Sequence, residues 1–186
     1  MPRLILLNGA PGSGKSTLAR RYADEHPMTL ALDIDTVRGL LGGWLERPTE
    51  SGLAARELAL AMIRGHLRAG HDVVVPQYLG RIDFALRLAE AAGEAGTGFV
   101  EVALVSDVEE AVARFGRRSR QPVTAEHRDA AALQARTGGE EELRLMYQRL
   151  LDVIAQRPGT RTVRSVEGEI DQTYGRFTEA LGPALA

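Results

Sequence analysis

The stretch "RLILLNGAPGSGKST" (residues 3–17) passes from a continuous apolar run into a glycine-rich loop and then into residues that favour a helix. A short uninterrupted apolar run is typical of a strand that is covered on both faces in a parallel sheet. The residues from Gly9 to Ser16 match the pattern G-x-x-x-x-G-K-[ST]. The order strand, glycine loop and helix predicts that the loop lies at the carboxyl edge of the sheet, where ligands bind in open α/β sheets.

The glycine loop predicts a phosphate-binding site. Its backbone amides can point inward around phosphate oxygens, and the following helix adds its positive dipole end. We expect Lys15 to bridge the β- and γ-phosphates of a nucleotide and the Ser16 hydroxyl to bind Mg²⁺. A glycine turn that binds nothing is the alternative, but a chance match has odds of about one in a thousand, and Lys15 is the single lysine among 23 basic residues. The predicted nucleotide-binding residues are Gly9, Ala10, Pro11, Gly12, Ser13, Gly14, Lys15, Ser16 and Thr17.

Composition restricts the class of protein. The chain has 186 residues, of which 44% are hydrophobic and 26% charged, and we expect one domain that spans 1–186. The net charge of -2 provides no overall attraction to nucleic acid or to an anionic membrane. The chain contains no cysteine, no apolar run near the roughly 20 residues that span a bilayer, and no signal-peptide pattern. We therefore expect a cytoplasmic protein that binds neither membrane nor nucleic acid.

Apolar periodicity predicts alternating strands and helices along the rest of the chain. The further predicted strands are 28–33, 71–76, 99–105 and 160–166. The predicted helices are 15–26, 53–69, 82–95, one opened by a capping box from Ser106 to Glu109, 125–136, 140–156 and 169–181. This alternation favours an α/β fold with a parallel sheet and helices on both of its faces.

Two carboxylates follow the second predicted strand, in "LALDIDTVRG" (30–39). A buried strand excludes unpaired charges because their desolvation is costly, whereas a strand end that opens into a cleft accepts them. Asp33, Asp35 and the glycine loop belong to the same edge of the sheet, and beside bound phosphates a carboxylate can support Mg²⁺ or accept a proton from an attacking hydroxyl. Asp35 can also be the N-cap of a helix that begins at Thr36, and the two roles are compatible.

The loop, the two aspartates and the arginine-rich segment "ARFGRRSRQP" (113–122) together resemble the P-loop kinases, and among these the zeta-toxin and chloramphenicol-phosphotransferase type. The likeness covers residues 3–120. It implies a three-layer kinase core with five parallel strands in the order 2-3-1-4-5, ATP as the phosphoryl donor and Mg²⁺ as the metal ion. Gluconate and shikimate kinases have a similar D-x-D. Carried over from them, Asp35 is the catalytic base and Asp33 is the metal-side residue, together with Ser16.

The same resemblance assigns residues 114–124 to a lid whose arginines neutralise charge on the transferring phosphoryl group. Planar guanidinium groups suit phosphate oxygens. Arg117 takes the first lid position and Arg120 the next, both as catalytic residues, whereas Arg114 is expected on a helix face near adenine. The alternative is a solvated run of charges, which is common in so arginine-rich a chain.

The resemblance places the acceptor side in the helical segment 36–70 and after the third strand. The candidate acceptor-side residues are Trp44, Arg47, Tyr78 and Arg81. Trp44 can instead be a packed core residue. The segment "SVEG" (165–168) follows the last strand, where such kinases contact the nucleotide base through the backbone.

The chain departs from the common P-loop pattern at the end of the third strand. Pro76 and Gln77 stand where many P-loop proteins have an acidic residue. This absence shifts the expected metal binding towards Asp33 and water.

These features predict an ATP-dependent kinase that phosphorylates a hydroxyl of a small molecule, such as an antibiotic, a nucleoside, a sugar or a sugar nucleotide. A polynucleotide 5′-hydroxyl kinase is a second possibility, but the acidic balance and the lack of a basic stripe disfavour it. A non-catalytic nucleotide-dependent regulatory module is a third. A GTPase switch is excluded because the single asparagine, Asn8, and the single lysine, Lys15, cannot form the guanine-reading N-K-x-D motif. The sequence predicts neither the acceptor nor the oligomeric state.

Overall fold

A sheet of five parallel strands lies at the centre of the computed structural model, which describes residues 1–120 and 139–183 and, for 118–120, the backbone alone. The strands are β1 (Arg3–Gly9), β2 (Leu30–Ala31), β3 (Val73–Pro76), β4 (Gly98–Val105) and β5 (Arg161–Arg164). They lie side by side in the order β2-β3-β1-β4-β5. The predicted fold class and strand order are confirmed.

Helices pack on both faces of this sheet. Those in the described ranges are α1 (Lys15–Glu25), α2 (Ile34–Gly39), α3 (Pro48–Arg68), α4 (Asp83–Glu94), α5 (Val108–Arg120), α6 (Gly139–Gln156) and α7 (Ile170–Leu181). The predicted helix 125–136 lies outside the described residues. No helix in the described ranges combines the length and the apolar character that crossing a bilayer requires.

The central strand β1 divides the core into two apolar layers. Leu4 and Leu6 pack with the buried residues of α3 and α4, such as Ile63. Ile5 and Leu7 belong to the cluster on the other face, which includes residues of α1 and α7. Because successive side chains of a strand point to opposite faces, the apolar run fills both layers. This packing fixes the end of β1, from which the glycine loop emerges.

The second strand is shorter than the sequence predicts. It covers Leu30–Ala31 instead of 28–33, because the chain turns at Asp33 and enters α2 at Ile34. Asp33, whose carboxylate accepts a hydrogen bond from the backbone of Asp35, is the N-cap of α2. The expectation that Asp35 caps a helix is therefore wrong, since Asp35 already lies inside the first turn.

The start of α5 also differs from its prediction. The N–H of Glu109 donates to Oδ1 of Asp107 at 2.9 Å, so Asp107 rather than Ser106 caps this helix. The carboxylate of Glu109, which a capping box needs, accepts instead from the Arg144 guanidinium at 2.8 and 3.1 Å. The helix continues through Arg120, so residues 114–120 of the predicted lid 114–124 are helical, while 121–124 lie outside the described residues.

Candidate active site

The glycine loop after β1 has a backbone that only glycine adopts easily. Gly12 and Gly14 have φ angles of +82° and +90°, a region that residues with a Cβ rarely enter. Gly14 is the N-cap of α1, so the loop leads directly to the amide end of that helix. This is the arrangement in which backbone N–H groups and a helix dipole bind phosphate.

Lys15 lies across the same loop. Its Nζ donates a hydrogen bond of 3.0 Å to the carbonyl oxygen of Ala10. The N–H of Ser13 donates to the same oxygen at 3.2 Å and closes the turn. A phosphate oxygen is a stronger acceptor for an ammonium group than a neutral carbonyl is. A bound nucleotide is therefore expected to draw Lys15 away from Ala10.

One carboxylate connects the loop with α2. The hydroxyl of Ser16 donates to Oδ2 of Asp33 at 3.1 Å, while Oδ1 of Asp33 accepts the N–H of Asp35 at 3.0 Å. Asp33 thus holds the loop side chain and the helix N-terminus at the same time. The structure brings together the two predicted metal ligands, Ser16 and Asp33, and places Asp35 in the adjoining helical turn.

The Ser16 and Asp33 oxygens fit a magnesium ion. Mg²⁺ prefers oxygen ligands, keeps several waters, and is commonly bound by one or two carboxylates together with phosphates. The oxygens are 3.1 Å apart, close to the roughly 3 Å between neighbouring ligands of octahedral Mg²⁺. In residues 1–120 and 139–183 no three His, Cys, Asp or Glu side chains group closely enough to hold a metal ion. Within these residues, the candidate Mg²⁺ site is therefore the pair of Ser16 and Asp33 oxygens, together with oxygens of a bound substrate.

The pKa of Asp35 is raised above the usual value. The main cause is that surrounding protein atoms desolvate the charged carboxylate, and the negative charge of Asp33 adds to this. Arg38, Lys15 and Arg56 act in the opposite direction. The side chain nevertheless remains open to solvent, as expected for a group at the mouth of a cleft. A higher pKa makes a carboxylate a stronger base.

Arg114 connects the phosphate loop with the segment after β5. Its guanidinium, which is 8% exposed, donates to the carbonyl oxygen and the hydroxyl of Ser165 at 2.8 and 3.1 Å. The Ser165 hydroxyl donates in turn to the carbonyl oxygen of Ser13 at 3.0 Å. Ser165 begins the segment 165–168 that the resemblance assigns to the nucleotide base, and Arg114 holds both its backbone carbonyl and its hydroxyl.

The two predicted lid arginines lie near the end of α5. Arg117, which is exposed, forms an ion pair with Glu167. The structure therefore places Arg117 against the segment 165–168 and does not bring it to the phosphate loop. The side chain of Arg120 lies outside the described residues.

Trp44 is held between α2 and α3. The Arg38 guanidinium lies 5.3 Å from the centre of the Trp44 ring, and its Nε donates to the Ser51 hydroxyl at 3.0 Å. The Ser51 hydroxyl donates to the Trp44 carbonyl oxygen, also at 3.0 Å. These contacts leave the indole half-buried beside the helix that carries Asp35.

The two arginines predicted for the acceptor side form ion pairs on the protein surface. Arg47 pairs with Glu50 at 3.4 Å, and Arg81 pairs with Asp83 at 2.8 Å. All four side chains are well exposed. Ion pairs of this kind contribute little to stability.

Asn8 is a site residue that the sequence analysis did not identify. Its side chain is 0% exposed and accepts hydrogen bonds from the N–H groups of Gly9 and Leu79 at 2.8 and 2.9 Å. Its amide donates to the Leu79 carbonyl oxygen at 3.3 Å. Asn8 therefore joins the start of the phosphate loop to the segment between β3 and α4. The available signal was a polar residue at the end of an apolar strand, directly before the loop.

The segment after β3 contains a second unforeseen feature. The Oε1 atom of Gln77, at the position where an acidic residue is common, is buried and has no hydrogen-bond partner among the described residues. The backbone N–H of Gln77 donates to the carbonyl oxygen of Leu7 at 3.1 Å, which keeps this residue beside the end of β1. Next to it, the hydroxyl of Tyr78 donates to the carbonyl oxygen of Met146 at 3.0 Å. An unsatisfied amide oxygen near the loop is available to a water or a ligand.

Comparison with known proteins gives a family and a fold. A family model described as an AAA domain matches residues 4–142. A kinase candidate from Chloroflexus aurantiacus is similar in structure, with a TM-score of 0.66 and 17% identity over 99% of this chain and 98% of that one. A gluconokinase from Sinorhizobium meliloti has a TM-score of 0.57 and 18% identity over 97% and 95% of the two chains.

The tunicamycin resistance protein of Deinococcus radiodurans is a further structural relative, with a TM-score of 0.59 and 18% identity over 100% of this chain and 99% of that one. Identities this low establish a common fold and leave the substrate open. No curated protein matches the chain.

Proposed function

The chain belongs to the AAA-domain family whose model matches residues 4–142, and from this premise we propose that it is an ATP-dependent phosphotransferase. It moves the γ-phosphoryl group of ATP to a hydroxyl of a small molecule. The kinase candidate and the gluconokinase among its structural relatives support the reaction class. They do not identify the acceptor.

The contact between Ser16 and Asp33 carries this proposal. It joins the phosphate loop to the helix turn that holds Asp35. Phosphate-binding amides, two oxygen ligands suited to Mg²⁺ and a carboxylate with a raised pKa therefore lie along one edge of the sheet. Phosphoryl transfer needs these groups, because it depends on positioning and on charge neutralisation.

Residues of the chain have separate roles in this reaction. The loop amides and Lys15 bind the phosphates, and Asp35 takes the proton of the acceptor hydroxyl. The acceptor oxygen forms a bond to the γ-phosphorus as the bond from that phosphorus to the bridging oxygen breaks, and ADP leaves. Mg²⁺, when bound by Ser16 and Asp33, neutralises charge on the phosphate oxygens.

A Lys15→Ala variant tests this function, assayed by ADP release with a panel of hydroxyl compounds. We expect transfer to fall by about 10²- to 10³-fold or more, the range for removing one preorganised charge from a transition state. Arg20→Ala is the matched control, because it removes an exposed positive charge from the same helix. Circular dichroism should show both variants folded. Unchanged turnover by Lys15→Ala would refute the proposed function.

A further inference from the structure

Arg56 on α3 is a half-buried cation with an unusual environment. Within the part of the chain that the structure describes, it forms no hydrogen bond and no ion pair. Its guanidinium carbon lies 5.5 Å from the centre of the Phe84 ring, within the range of a cation–π interaction. Nearby arginines differ from it: Arg64, two turns further along α3, pairs with Glu94 at 2.6 Å, and Arg38 donates to Ser51 and Pro48.

The adjacent carboxylate does not compensate this charge. Glu57 points to α4, where its two oxygens accept from the guanidinium of Arg87 at 2.6 and 2.8 Å. Against the burial that raises the pKa of Asp35, the charge of Arg56 acts to lower it.

These contacts locate Arg56 in the molecule. Phe84 is in the first turn of α4, and Asp35 is in the first turn of α2. Both helices follow strands at the carboxyl edge of the sheet, where ligands bind in open α/β sheets, so the contact with Phe84 places Arg56 at that edge.

Among the described residues Arg56 has no carboxylate at ion-pair distance, and a carboxylate or phosphate of a ligand would supply the missing counterion. The guanidinium fork matches the oxygens of a carboxylate or a phosphate. We propose that Arg56 is a specificity-determining residue that binds an anionic group, a carboxylate or a phosphate, of the acceptor whose hydroxyl is phosphorylated. This inference rests on the proposed phosphotransferase function and assigns the acceptor to the class of anionic hydroxyl compounds.

The test compares acceptors that differ in charge but share a carbon skeleton. D-gluconate is paired with D-glucitol, and sn-glycerol 3-phosphate with glycerol, so that one pair probes a carboxylate and the other a phosphate. Binding is measured by calorimetry with a non-hydrolysable ATP analogue present, and transfer is measured by ADP release. We expect at least one anionic member to bind and react better than its neutral partner.

Variants of Arg56 test whether the preference for anionic acceptors depends on this residue. Arg56→Gln should lower kcat/KM for the preferred anion by about 10- to 100-fold, the range for a hydrogen bond to a charged group, mainly through KM. Arg56→Lys should retain part of the preference because it keeps the charge but loses the fork. Arg68→Gln removes an exposed charge from the same helix and should leave the preference unchanged.

Three results would overturn the inference. They are equal binding and transfer for the charged and neutral members of both pairs, failure of every anionic member to bind, and a charge preference that survives in Arg56→Gln. Transfer to neutral acceptors alone would remove the inference while leaving the phosphotransferase function intact, whereas inactivity towards the whole hydroxyl panel would count against that function itself.

Discussion

The hydroxyl of Ser16 donates a 3.1 Å hydrogen bond to Asp33, the residue that also caps α2. A single carboxylate therefore positions a phosphate-loop side chain and the helix turn that carries Asp35.

Asp33→Asn and Asp35→Asn should respond differently to magnesium. Asparagine caps helices about as well as aspartate, so Asp33→Asn should fold, and Asp35→Asn should fold because it changes an exposed side chain without changing its shape. If Asp33 supports the metal, added Mg²⁺ will restore part of the lost rate in Asp33→Asn. Asp35→Asn cannot accept the proton, and its loss of about 10²- to 10⁴-fold should persist at any Mg²⁺ concentration. A Mg²⁺ titration of the transfer rate, with ATP affinity measured alongside, distinguishes the metal-supporting residue from the base. Rescue of Asp35→Asn alone would show that the two roles are reversed.

The pH dependence of kcat/KM should report the environment of Asp35. Its protonated form is inactive as a base, and because desolvation and Asp33 raise its pKa, activity should begin to fall at a higher pH than for an ordinary aspartate. Asp33→Asn removes a charge that raises this pKa, so the acidic limb should move to lower pH. Arg56→Gln removes a charge that lowers it, so the limb should move to higher pH. Shifts in the opposite directions would exclude Asp35 as the titrating group.

Asn8→Ala should destabilise the protein. It leaves the buried N–H groups of Gly9 and Leu79 and the Leu79 carbonyl without their partner, which costs about 1–3 kcal/mol for an unsatisfied group. Urea unfolding measures this loss. Gln148→Ala is the control, since its amide makes an exposed hydrogen bond to Asp152 and its removal should change the unfolding free energy by less than about 0.5 kcal/mol. An equally small effect at both positions would show that Asn8 does not hold the two segments together.

Arg117 and Glu167 allow the lid hypothesis to be tested. If Arg117 leaves Glu167 to reach the transferring phosphoryl group, Arg117→Ala should lower kcat more than it weakens nucleotide binding. Arg120→Ala should act in the same way. Glu167→Gln removes the ion pair and frees Arg117, so its kcat should be equal to or above that of the wild type. Normal kcat in both arginine variants would identify the run as a solvated surface.

Local sequence patterns were sufficient to predict part of this structure. The spacing of glycines, lysine and serine in residues 9–16 predicted the loop, because each requirement is met within a few residues of chain. Apolar periodicity predicted the alternation of strands and helices, and the resemblance to P-loop kinases supplied the strand order that the structure confirms.

Tertiary structure alone decided how the candidate site is connected. Asn8 meets Leu79 across 71 positions of sequence, Arg117 meets Glu167 across 50, and Arg87 meets Glu57 across 30. Which polar groups pair depends on how the helices pack on the sheet, and a residue's own neighbours in sequence do not encode that choice. For this reason the D-x-D pattern predicted two carboxylates near the loop, but only the turn at Asp33 determined that the first aspartate caps α2 and leaves Asp35 inside its first turn.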